Sequence, residues 1–281
     1  MKIKAYGKLN LTLEITGEEN EFHTIESIVQ KISLYDEIEI KLTKGNVDVV
    51  FFSKSIRNRV STIDKAIELF RDKTGIKDHF IVNVHKNIPM GSGLGGGSAD
   101  AAYTLIALNQ MFNNPLTFDE LLGIAKDVGK DVPLFLYGST VRMSHYGEVV
   151  EEITSLNEMY FILVHPLFHH KTKVMYDMFR KFGKFSDGNK TKALKEVIEK
   201  KSYTALEIQN YFYNDFEIML MEASPKFANY KKTLSSLSDL KFYLTGSGST
   251  LFTPFDSEKD ILKTKTLLEK LKINFSIVKT V

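Results

Sequence analysis

The sequence predicts an α+β protein of two domains, on three observations. Its 281 residues suggest two domains, or one large one. Short alternating, β-branched or aromatic apolar runs make residues 1–155 the β-rich half. Helical spacing dominates residues 156–281, with a polar stretch at 154–158 between the halves. The expected division is therefore 1–155 and 156–281.

Ile3, Ala5, Leu9, Leu11, Leu13 and Ile15 form the first alternating run and predict a strand. The runs at 25–34, 38–42 and 47–52 are short and rich in β-branched or aromatic residues, so they read as separate strands joined by loops. Val60, Ile63, Ile67 and Phe70 have helical spacing, with Gly75 as the stop. Alternation returns from Phe80 to Ile88 and runs into Pro89 and a glycine-rich segment. Residues 101–111 read as a helix, and Thr117 with Glu120 has the capping-box spacing for a helix that stops at Gly129. Strands at 139–143 and 148–153 complete the first half.

The second half opens on a strand at 160–164 and a helical face of Val174, Met175, Met178, Phe179 and Phe182 that ends at Gly183. Residues 184–190 read as a loop. Residues 192–236 are mostly helical in pattern, with Ser224–Pro225 as a cap and first-turn proline. A strand–turn–strand at 242–252, a charged amphipathic helix at 257–271 and a strand at 275–278 close the chain.

Composition narrows the chemistry. Hydrophobic residues make up 43% and charged residues 26%, enough apolar material for a core. Lysine and arginine number 37 against 35 acidic residues, a balance of +2 that argues against bulk binding to nucleic acid. With no cysteine, disulfides, thiolate nucleophiles and cysteine-ligated metals are excluded. No apolar run approaches the length of a bilayer span, and 1–10 lacks the apolar core of a signal peptide. The expectation is a soluble cytoplasmic protein with no nucleic-acid or membrane partner.

The segment Pro89–Met90–Gly91–Ser92–Gly93–Leu94–Gly95–Gly96–Gly97–Ser98 holds five glycines in seven positions, between a strand and a helix starting at Ser98. Such a loop turns backbone amides toward one point, and the helix adds its own unpaired amides and dipole. Together they make an anion site suited to phosphates. The Walker pattern is absent, because Ser98 and Ala99 stand where it needs lysine. A dinucleotide fingerprint can be traced on Gly91, Gly93 and Gly96, but a β-rich start and Pro89 do not suit a βαβ unit. A second glycine turn, Gly246–Ser247–Gly248, lies in the other half. Lys8 is unusual on an apolar strand, where its charge needs a partner. By itself, Asp131 reads as a cap for a short helix at Pro133, and Phe22 and Tyr176 read as core. His165, His169 and His170 lack a zinc pattern and are not assigned a metal.

With Gly7–Lys8–Leu9–Asn10–Leu11, the two glycine turns make an ordered set that resembles the three motifs of the GHMP kinases. Phe22–His23, the stretch Lys86 to Pro89, and Gly129–Lys130–Asp131–Val132–Pro133 are similar to the branch acting on 4-diphosphocytidyl-2-C-methyl-D-erythritol. The resemblance spans nearly the whole chain. It implies an N-terminal domain like ribosomal protein S5 domain 2 and a C-terminal ferredoxin-like α/β domain, with the active site in the cleft between. It implies ATP as co-substrate with Mg2+, transfer to the substrate's 2-hydroxyl, and a monomer or weak homodimer. Asp131 would be the general base and Lys8 its cationic partner. Gly91 to Ser98 would wrap the phosphates and Lys86 would lie near the adenine. Asn10 would hold the substrate or Lys8. His23 would bond the cytosine edge, Phe22 and Tyr176 would sandwich its ring, and Thr172 would lie nearby. Ser247, between Gly246 and Gly248, would complete the phosphate side. The alternative is a kinase of the same family acting on mevalonate, homoserine or a sugar. Gly7, Phe22, Leu167, Phe168 and the turn 144–148 depart from the family pattern, and all but Gly7 fall on the expected substrate side.

Overall fold

The computed structural model describes residues 1–53, 61–168 and 170–281. In chain order its elements are β1 (Lys2–Asn10), β2 (Thr12–Glu19), β3 (Phe22–Thr43), β4 (Val49–Phe52), α1 (Thr62–Thr74), β5 (His79–His85), α2 (Gly96–Met111) and α3 (Phe118–Val128). A 3-10 turn (Pro133–Leu136) precedes β6 (Thr140–His145), β7 (Val149–Glu152), β8 (Tyr160–Val164), α4 (Thr172–Phe182), α5 (Asn189–Lys200) and α6 (Ala205–Ile208). After a second 3-10 turn (Gln209–Tyr211) come β9 (Tyr213–Asn214), α7 (Asp215–Ala223), α8 (Pro225–Ser238), β10 (Tyr243–Leu244), β11 (Leu251–Phe255), α9 (Glu258–Lys270) and β12 (Phe275–Lys279).

The chain forms two compact units that interleave in sequence: residues 1–7, 34–90 and 95–138 make one, and 8–33, 91–94 and 139–281 the other. The expected division at 155 falls inside the second unit. The reason is visible in β3, which is one strand of 22 residues rather than two short strands with a loop. Asp36, fully buried, interrupts the apolar pattern there without interrupting the strand.

In the first unit, β5 pairs antiparallel with the end of β3 (Ile38 opposite Val84) and parallel with β4 (Val49 opposite Ile81). Helices α1, α2 and α3 pack together over Ile63, Ile67, Phe70, Leu105 and Leu108. Helix α1 opens on a Ser61–Asp64 capping box and ends at Gly75 in the left-handed conformation (φ 71°). Val60, expected on this helix, lies outside the described residues. The Thr117–Glu120 capping box opens α3 as expected.

In the second unit, β2 and β6 flank the first part of β3, and β9 joins β2 in parallel. The alternation from Ile3 to Ile15 is therefore two strands, broken at Leu11. A four-stranded antiparallel sheet has the order β10-β11-β8-β12, with α9 packed on β11 and α7 on α8. Its core gathers Ile162, Val164, Phe179, Phe216, Phe227 and Phe242. No helix among the described residues is long and apolar enough to cross a membrane.

Candidate active site

In the second unit, the strand β1 ends by carrying Lys8 and Asn10 inward, both buried. Lys8 Nζ hydrogen-bonds to Asn10 Oδ1. Asn10 is itself oriented: Nδ2 donates to Ser27 Oγ at 2.8 Å, and its backbone N–H donates to Thr245 Oγ1 at 2.8 Å. Ser27 in turn donates to the carbonyl of Thr12 at 2.5 Å. This chain fixes which end of the Asn10 amide faces the ammonium. Asn10 Oδ1 thus accepts from the Lys8 ammonium.

The two glycine segments meet here, backbone against backbone. Lys8 N–H donates to Leu94 O at 3.0 Å, and Thr250 N–H to Ser92 O at 3.2 Å. A Cβ on Gly93 would lie 2.3 Å from Thr245 O, and Gly93 sits at φ +82°, so only glycine fits. A Cβ on Gly246 would stand 3.2 Å from Lys8 Nζ, which places the ammonium beside the second turn. Ser247 Oγ lies 3.0 Å from Thr172 Oγ, so Thr172 touches the second glycine turn. His170 stands beside Gly248, while His169 lies outside the described residues.

Two residues that brace this turn escaped the sequence reading. Asn214 Nδ2 donates to Leu244 O and Gly246 O, both at 2.9 Å. His165 reaches Thr250 Oγ1 at 3.2 Å and Ser276 Oγ at 3.0 Å, and burial pushes its imidazole down to about 4. Neither position carries a local pattern that would reveal the role.

The expected aromatic sandwich has a different arrangement. His23 is buried and stacks on Tyr176, with ring centroids 4.9 Å apart and 26° between planes. Phe22 points outward at 52% exposure, 5.7 Å from Tyr146 of the divergent 144–148 turn. The face of Tyr176 is thus covered by His23 rather than opposed by Phe22. This follows from strand alternation, which sends adjacent residues 22 and 23 to opposite sides of β3. Burial lowers the His23 imidazole below its ordinary value; its Nε2 has no hydrogen-bond partner among the described residues, the Glu18 carboxylate lying 3.9 Å away.

In the first unit, α2 begins earlier than expected. Gly95 is its N-cap at φ 73°, so Ser98 is not the cap but lies in the first turn. The glycine-rich start supplies the unpaired amides that precede Ala99, whose N–H bonds Gly95 O. Gly91, which belongs to the second unit, also takes positive φ (64°), and Met90 at the end of the first unit's segment is half exposed. The Ser98 hydroxyl has no hydrogen-bond partner among the described residues. Lys86, expected near the adenine, is buried with its ammonium between Asp36 and Asp100, the latter at 2.6 Å. Asp131 is half-buried between α3 and the 3-10 turn. It is not a helix cap: Val132 holds that position, and no side chain caps the turn. Asp131 makes no hydrogen bond or ion pair among the described residues, which leaves its carboxylate available. No cluster of three His, Asp or Glu suited to a metal occurs among the described residues.

Residues 61–139 match the GHMP kinases N terminal domain. The chain is 34% identical over 266 residues to a 4-diphosphocytidyl-2-C-methyl-D-erythritol kinase of Thermotoga maritima, covering 92% of this chain and 93% of that one. It is 32% identical over 278 residues to the protein of the same name from Clostridium botulinum, covering 97% and 96%. A solved structure of 4-(cytidine 5'-diphospho)-2C-methyl-D-erythritol kinase superposes with a TM-score of 0.80 at 22% identity, over 100% of this chain and 99% of that one, a likeness of fold. Identity of this order over nearly the whole of both chains shows that the chain belongs to the 4-diphosphocytidyl-2-C-methyl-D-erythritol kinase family of GHMP kinases.

Proposed function

We propose that this protein transfers the γ-phosphoryl group of ATP to the 2-hydroxyl of 4-diphosphocytidyl-2-C-methyl-D-erythritol, releasing ADP. The observation that carries the chemistry is the buried Lys8 ammonium, held by Asn10 beside two glycine turns packed on each other. The substrate class rests on the family.

Phosphoryl transfer asks a protein mainly for positioning and charge stabilisation. The amides of Gly91 to Ser98 would hold the triphosphate. The acceptor oxygen would attack the γ-phosphorus while the bond to the β–γ bridging oxygen breaks. Asp131 would take the hydroxyl proton, a role suited to a carboxylate that makes no hydrogen bond or ion pair among the described residues. Lys8 would favour the negative charge that develops on the acceptor oxygen. Magnesium, when bound with ATP, neutralises phosphate charge; it needs only one or two protein oxygens, and Ser98 Oγ fits that demand. Ser247 and Thr172, whose hydroxyls meet, would add donors on the phosphate side. The cytosine would bind beside the His23–Tyr176 stack, with His23 Nε2 at its polar edge and Phe22 along the rim.

An ADP-release assay with ATP, magnesium and a panel of alcohols tests this reading. Turnover is expected with 4-diphosphocytidyl-2-C-methyl-D-erythritol and not with mevalonate, homoserine or galactose. Turnover with one of the latter would move the substrate, and none with any would end the kinase reading. His23→Ala is expected to raise the KM for the cytidyl alcohol ~10-fold while leaving that for ATP in place.

A further inference from the structure

A buried carboxylate–ammonium–carboxylate trio lies behind the phosphate loop in the first unit. Asp36 is fully buried in β3. Its Oδ1 accepts from two successive backbone amides, Asn87 at 2.6 Å and Ile88 at 2.8 Å. Its Oδ2 takes the Lys86 ammonium, which also donates to Asp100 Oδ2 in α2 at 2.6 Å. Lys86 N–H is held as well, by Ser53 Oγ at 2.9 Å. Three residues in a row, 86–88, are thus fastened immediately before Pro89. The far side of the loop is fastened by the same lysine through Asp100. The two sides touch closely, since a Cβ on Gly96 would lie 3.0 Å from Ile88 Cγ2 and 3.4 Å from Asp36 Oδ2.

We infer that Asp36, Lys86 and Asp100 are positioning residues for the nucleotide. They fix the gap between the exit of β5 and the start of α2, and so the aim of the amides between them. Burying an unbalanced charge is costly, and two carboxylates with one ammonium are unbalanced. Burial raises Asp100 to about 7, so a proton there brings the trio toward neutrality. Asp100 Oδ1 has no hydrogen-bond partner among the described residues, which marks Asp100 as the less satisfied of the two carboxylates. With its ammonium engaged on both sides, Lys86 serves as a strut between strand and helix rather than as a ligand for the base.

The inference rests on the proposed use of ATP, and direct binding separates the two. Calorimetry with a non-hydrolysable ATP analogue and magnesium would compare the wild type with Asp36→Asn and Lys86→Met. Each substitution is expected to weaken analogue binding and raise the KM for ATP ~10-fold or more, because small misplacements of a site are expensive. The KM for the cytidyl alcohol should stay within about twofold, a split that general destabilisation would not produce. Where a single variant fails to fold by near-ultraviolet circular dichroism, the neutral triple Asp36→Asn, Lys86→Met, Asp100→Asn decides, since it leaves no buried charge unpaired. Folded variants that bind the analogue within about twofold of wild type would overturn the inference. Failure of the wild type to release ADP with any alcohol would sink the kinase reading alone, because analogue binding would still report on the strut.

Discussion

Asp131 shows how one side chain can be read in two ways. Before a proline, an aspartate looks like a cap. In the folded chain the capping position belongs to Val132, and the carboxylate makes no hydrogen bond or ion pair among the described residues. Asp131→Ala is therefore expected to lower turnover ~10²–10⁴-fold with nucleotide affinity unchanged, as stopped-flow and binding measurements would show. Turnover near the wild-type value would remove Asp131 from the mechanism. His165 is a second case. Its imidazole sits at about 4, below its ordinary 6.5, because it is buried and neutral. The unfolded chain then binds the proton more readily, so stability is full above pH 6.5 and is lost as pH falls toward 4. The loss is at most ~3 kcal/mol. Urea unfolding at pH 7 and pH 4.5 should show it, and His165→Gln should flatten that acid slope.

At the scale of elements, the two glycine segments differ from glycines that merely end a helix. Gly93 must lack a side chain because Thr245 O occupies the space where its Cβ would be. Gly93→Ala is expected to reduce ATP turnover ~10²-fold or more, since it pries the two backbones apart. Gly123 offers the contrast: it lies within α3 with nothing within 4 Å of a Cβ. Gly123→Ala should stabilise the protein by about 0.5–1 kcal/mol in thermal unfolding and leave turnover alone. Element signals with a local cause were readable in advance. The Thr117 box, the Gly75 stop and the Ser224–Pro225 start all appear where their spacing put them. The continuity of β3 was not readable, because the buried Asp36 breaks the apolar alternation, and its partners lie far along the chain. The two-residue strand β9 was hidden for a related reason, being defined only by pairing with β2.

For the whole molecule, each unit has its own core, with Phe70 in one and Phe227 in the other, both essentially without solvent contact. Phe70→Ala and Phe227→Ala should each cost ~3–5 kcal/mol in denaturant unfolding, through lost contacts and the cavity left behind. A cost below about 1 kcal/mol would mean that the site collapses or that the ring is not a core member. Local spacing and composition by themselves determined the mixed α+β class, most helix boundaries, the phosphate-suited loop and the ordered motifs that mark the family, because each depends on neighbours within one turn or one strand. Only the tertiary structure decided that the Lys86 ammonium pairs with Asp36 and Asp100, that His23 rather than Phe22 covers Tyr176, and that Asn214 braces the second glycine turn. Those outcomes depend on burial and hydrogen bonding between residues tens of positions apart, such as the 50 that separate Lys86 from Asp36 and the 32 between Asn214 and Gly246. No window along the chain contains both partners of such a contact, and only folding brings their desolvation and their pairing together.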